Sequence, residues 1–259
     1  MSTAVVKPQG VPRQVNRKGE RFFFSGMAVL MLATVLAGFW PTYYGAGLMN
    51  APLPNAVVHV HGAVFSLWMI LFLAQVGLIS AKKVKVHRTL GLAGFVLSVL
   101  MVVLGVLTGT AQLRRNLNAS GPVTRAGANL EVSENDAQYG YLTPVTNMLV
   151  FGTLIFFAYR LRRKSDAHKR LALIATIALM GAPIFRIPVP LFYHRVLPEE
   201  LALVGFLVLV AGYDLYSLGR VHQITLWASA FGIFVHVVRI PVGHSAAWHW
   251  FANHIAALG

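Results

Sequence analysis

The chain has 259 residues, of which 56% are hydrophobic and 12% charged, with a formal net charge of +14 and no cysteine. Soluble domains carry about 25% charged residues, and here the deficit runs the whole length, which excludes a soluble domain with a single anchor. Disulfides, thiolate metal sites, Fe–S clusters and cysteine catalysis are excluded outright. Nucleic acid binding is excluded too, because the basic residues are parcelled between apolar runs instead of forming one stripe.

A membrane-spanning helix needs about 20 mostly apolar residues. Residues 1–21 are polar and basic and read as a cytoplasmic tail. Seven apolar runs follow, at 22–40, 56–79, 89–111, 142–160, 169–188, 199–219 and 222–242. Hydrocarbon leaves unsatisfied backbone groups without water, so runs of this length must be helical. The expected fold is an all-α, seven-transmembrane-helix bundle over 22–242. Its fifth run is the least regular, since Pro183, Pro188 and Pro190 crowd its end.

Charge orients the bundle. The tail, the 80–88 loop, the 160–170 loop and Arg220 together hold 16 of the 22 Lys and Arg residues. The positive-inside rule puts these segments and the N-terminus in the cytoplasm and, with seven spans, the C-terminus outside. The outer loop 112–141 is polar and rich in Gly, Asn and Ser, as expected of a lid or a mobile segment. Residues 243–259 place Trp248, Phe251, Ile255 and Leu258 on one helical face, the pattern of a short interfacial helix on the outer surface.

Three short basic turns read KVHRTLGLAG, DAHKRLALIA and RVHQITLWAS, each with a histidine opening the next helix. They outline three hairpins after an additional first span, and duplication is one explanation of the pattern. The histidines His87, His168 and His222 either extend the positive-inside signal or, as clustered helix starts, hold an anion. Asp214 is the acidic residue well inside a span, where pairing with Arg220 or a turn lysine is expected.

The other seven histidines fall on the outer side. In AVVHVHGAVFSLWMILFLAQ, His59 and His61 are two residues apart and so about 200° apart around the helix. His61 continues at helical spacing into Phe65, Trp68, Phe72 and Gln75, which makes it the inward-facing one. His236 lies at a comparable depth in the seventh run, on a face with Thr225, Ser229, Gly232 and Arg239. Ionisable residues at such depth mark site candidates. Two imidazoles from separate helices at one depth suit axial ligation of haem b, with His61 and His236 as metal ligands, Trp68 and Gln75 beside them, and Arg239 or Arg186 as a charge partner. The competing explanation is that both histidines anchor helices or bond to neighbouring ones.

Together the blocks HVHG with Trp68 and Gln75, HRTLG, AHKRL and RVH–TLW resemble a family of uncharacterised bacterial polytopic membrane proteins in which similar blocks recur in this order. That resemblance implies a multi-pass protein of the bacterial cytoplasmic (inner) membrane. The second hairpin alone is similar to haem-type membrane proteins of the cytochrome b561 kind, and carries no ligand assignment to this chain. Two functions remain in view. One is a redox protein with haem b near the outer face, exchanging electrons with quinone. The other is a non-enzymatic membrane component (transporter, sensor or assembly factor) with structural histidines.

Overall fold

The computed structural model describes residues 17–46, 56–118, 124–125, 128–129 and 134–258. Apart from a two-residue antiparallel pair, Thr124–Arg125 with Ala128–Asn129, the described residues form helices and turns. Helix α1 spans Arg17–Phe39 and passes into a π-helical turn at Trp40–Tyr44, where Pro41 has no N–H to continue the ladder. Helices α2 (Ala56–Ser80) and α3 (Val84–Asn118) form a hairpin around Lys82, whose φ of 59° is the left-handed conformation of a tight turn. Helix α4 (Glu134–Arg160) follows, then α5 (Ser165–Ile177), α6 (Gly181–Ile184), α7 (Val196–Leu218), α8 (Gln223–Gly243) and α9 (Ala246–Ala257).

Among the described residues, six helices are long and apolar enough to cross a membrane: α1 with its π-turn, α2, α3, α4, α7 and α8. They suggest a multi-pass integral membrane protein. The fifth apolar run does not form one helix. Helix α5 stops at Ile177, a turn at Ala178–Met180 intervenes, and α6 ends at Ile184 before the turns of 185–195. The prolines explain the interruption, since Pro183, Pro188 and Pro190 remove donors and restrict the residues before them. Neighbouring helices compensate by enclosing the segment: from Leu171 to Ile177 only Ala172 is not fully buried. The α5–α6 segment runs antiparallel to α7, because Arg170 meets Asp214 at one end and Gly181 faces Glu199 at the other.

The core lies where α4 and α5 are wrapped by α1, α2, α3, α7 and α8, with Phe151, Leu173, Met31 and Met101 fully buried. Close approach of α3 to α4 depends on Gly105 and Gly109. A Cβ at Gly105 would run into Met148, and one at Gly109 would stand 2.6 Å from Pro144 Cγ. Glycines four apart make a groove into which a facing helix packs without any polar driving force.

Two expectations need correction. Residues 112–141 are not a loop throughout: α3 continues to Asn118 and α4 starts at Glu134, which shortens the connection to 119–133, most of which lies outside the described residues. Polar residues in these turns are tolerated because α3, about 52 Å long, outruns a hydrocarbon core of about 30 Å. Residues 1–16 of the expected tail are likewise not described, while Arg17–Arg21 already belong to α1.

The C-terminal helix also differs from a simple surface float. Leu113, Ala137, Tyr141 and Ala252 make a second small core where α9 packs on the projecting ends of α3 and α4. Trp248 and Ile255 face it, whereas Phe251 and Leu258 are exposed. Trp248 stacks on Tyr141 at 5.7 Å and donates its indole N–H to the Gln138 carbonyl at 2.8 Å.

Candidate functional site

A cleft of about 150 Å³ opens between α4, α5, α7 and α8. Its walls are apolar, formed by residues such as Val150, Leu203, Leu207 and Ala228, and Ile177 and Ala178 at the end of α5 line it. Helix α8 supplies the polar end through one face: Ser229, Gly232, His236 and Arg239 recur at intervals of three and four and all border the space. Helix α7 contributes Glu200 from its first two turns.

These side chains are bonded to each other. His236 Nε2 lies 2.8 Å from Glu200 Oε2, and Arg239 Nη2 lies 3.6 Å from Glu200 Oε1. Arg239 Nη2 also approaches His236 Nε2 at 3.4 Å, but a proton on Nε2 serves the shorter contact with the carboxylate. The Arg239 side chain is buried, yet its Nε has no partner, and neither does the buried Ser229 hydroxyl. Buried polar atoms are nearly always bonded. Both of these atoms belong to residues that line the cleft.

Charge continues behind the cleft. Glu199 packs over Gly181, where any Cβ would stand 2.6 Å from Glu199 Oε1. Arg186 and Arg239 are both within electrostatic reach of Glu199, and Arg186 is also within reach of His61. Arg186 donates to the Ala182 carbonyl at 2.7 Å and lies over the Phe39 ring.

Of the five residues singled out in the sequence, His236 and Arg239 share this cleft and the other three do not line it. His61 stacks on Phe65 at 4.1 Å and reaches toward Leu104 of α3, with its Nδ1 buried and unbonded. Trp68 is a core wedge, edge-on to Phe151 at 5.1 Å, with its indole N–H directed at Thr176 Oγ1 at 3.4 Å. Gln75 stands beside Gly91, about 21 Å along α2 from His61, and its buried Oε1 has no partner. Helical spacing aligned these three residues on one stripe, but neighbouring helices divide that stripe among separate contacts.

No family model, curated protein or solved structure matches this chain.

The sequence pattern passed over Glu200. It belongs to LPEEL, an acidic pair opening an apolar run in a chain with only 8 Asp and Glu. That scarcity is the signal by which it was legible: acidic residues at the mouth of a span need partners.

The opposite end of the bundle holds the three basic turns. Arg170 and Asp214 are both buried there and bonded through Arg170 Nε (3.0 Å) and Nη2 (2.5 Å) to Asp214 Oδ1. Asp214 Oδ2 accepts from the His222 backbone N–H at 3.1 Å and the Thr225 hydroxyl at 2.5 Å. The expected pairing with Arg220 or a lysine gives way to Arg170 of α5, while the turn after α7 reaches Asp214 through the His222 N–H. Lys169 bridges Asp166 and Glu20, and its ammonium holds the Asp166 carboxyl below the usual carboxylate range. His87 and His168 meet edge to face at 6.2 Å, with His168 Nδ1 bonded to the Ala158 carbonyl at 2.9 Å. Lys169 and Arg170 are thus paired with Glu20, Asp166 and Asp214, whereas Lys82, Lys83 and Lys85 of the α2–α3 turn are exposed.

Proposed function

We propose that this chain is a multi-pass membrane protein that binds a small lipid-soluble molecule in the α4–α5–α7–α8 cleft. The molecule presents a ring to the apolar walls and an oxygen to His236 and Arg239. A cavity of about 150 Å³ accommodates one six-membered ring. The quinone class fits this description, since its carbonyl oxygens accept from an imidazole or guanidinium N–H and its body is apolar. One observation carries the proposal: the Glu200–His236 pair stands at the polar end of an apolar cleft that also holds the unbonded Ser229 hydroxyl and Arg239 Nε. Glu200 accepts the Nε2–H of His236 and so fixes the orientation of the imidazole, and its carboxylate also faces the Arg239 guanidinium.

Haem b between His61 and His236 is the competing reading. His236 Nε2 faces Glu200, and His61 stacks on Phe65 of α2, with Arg186 within electrostatic reach of both His61 and Glu199. A second reading is favoured by a specific observation, the interruption between α5 and α6 at the edge of the cleft. Discontinuous helices lining a midplane site are characteristic of carriers, and in this reading the same pocket moves its ligand across the bilayer. For orientation, the charge split supports a cytoplasmic N-terminus with α5–α6 as the fifth crossing, and a bacterial inner membrane is what the resemblance of the sequence blocks implies.

The test is thermal denaturation of the purified full-length protein with a short-chain quinone. At 100 times its Kd a bound ligand stabilises by about 2.7 kcal/mol. The quinone should raise Tm in the wild type and in Gln75→Ala, and not in Glu200→Gln or His236→Ala. An equal rise in all four proteins, or none in the wild type, overturns the binding site. A reduced-minus-oxidised α band that disappears in His236→Ala restores the haem.

A further inference from the structure

A second groove lies on the outside of the bundle and is independent of the cleft. It runs between the first turns of α2 and the far half of α3, with a volume of about 480 Å³. Val57, Val60, Leu104 and Leu107 form its walls, Thr110 and Arg114 lie at one end, and among the described residues no acidic one lines it. We propose that it holds one anionic phospholipid, with an acyl chain along the valine and leucine walls and the phosphate at Arg114.

Position decides the occupant. Helix α3 is the longest and most apolar of the candidate spans, α2 beside it is itself a candidate span, and Val57, Val60 and Leu107 are exposed on them, so the groove faces hydrocarbon. By hairpin register, α3 rises past the start of α2 by about 9 Å at Arg114. The apolar wall therefore gives out where headgroups begin, and a cation at that level meets lipid phosphate.

The guanidinium is already held in place. Arg114 Nε donates to the Ala256 carbonyl at 3.1 Å and Nη2 to the Ile255 carbonyl at 3.2 Å, leaving Nη1 unbonded among the described residues. A cation suits the carbonyl end of α9, and the same contacts fix Nη1 for a second acceptor. One arginine thus joins the C-terminal helix to the lipid groove.

Native mass spectrometry of the full-length protein, loaded with phosphatidylglycerol or with phosphatidylcholine of the same acyl chains, tests this. The wild type should retain phosphatidylglycerol about fivefold more than phosphatidylcholine, the effect of one interfacial cation. Arg114→Gln should bring that ratio close to one. Leu107→Trp, which fills the groove without touching α9, should reduce retention of both lipids. Equal retention by the wild type, an unchanged ratio in Arg114→Gln, or unchanged retention in Leu107→Trp each overturns the proposal.

Discussion

Arg170 and Asp214 form a buried ion pair 44 residues apart in sequence, joining the start of α5 to the end of α7. The remaining oxygen of Asp214 binds the His222 N–H and the Thr225 hydroxyl, so one carboxylate ties the interrupted helix to the α7–α8 turn. Removing one partner of such a pair leaves an uncompensated buried charge, at a cost of about 3–5 kcal/mol. Asp214→Asn should therefore lower the denaturation temperature in detergent sharply, and Arg220→Gln, outside the network, should not. Equal stability of Asp214→Asn and wild type would show that the pair contributes nothing.

Gly38 faces the Pro183 carbonyl so closely that a Cβ there would collide with backbone, which no rotamer change relieves. Overpacking of this kind costs about 1–3 kcal/mol. Gly38→Ala should destabilise the bundle and displace α6. Gly26→Ala in the same helix meets nothing within 4 Å, and its effect should be neutral or slightly stabilising through helix propensity. Matching melts for the two variants would contradict the α1–α6 packing.

Reporter fusions measure whether α5–α6 crosses the membrane. A fusion after Arg163 should be cytoplasmic and one after Pro190 exported, because the segment runs the length of α7 in the opposite direction. The same compartment for both would make it re-entrant and bring the C-terminus to the cytoplasmic side.

Trp248 anchors α9 through Tyr141 and the Gln138 carbonyl, whereas Trp250, 70% exposed, stacks only on His254. Limited proteolysis should release α9 faster from Trp248→Ala than from wild type, and Trp250→Ala should leave the rate unchanged. If Trp250→Ala alone speeds cleavage, α9 is held by its exposed face.

The amino-acid sequence by itself determined the helical membrane character, the basic turns and both ends of α2 and α8. These depend on local quantities: run length, proline and glycine positions, and which loops hold Lys and Arg. The helical spacing of His236 and Arg239 was also local, and both line the cleft. Only the tertiary structure decided that Glu200 is their partner, that His61, Trp68 and Gln75 have separate neighbours, and that Arg170 rather than Arg220 meets Asp214. Periodicity fixes the face of a helix on which a residue lies. Which helix covers that face depends on how several helices pack together, and in this chain the break after Ile177 and the small residues at Gly38, Gly105 and Gly109 set that packing.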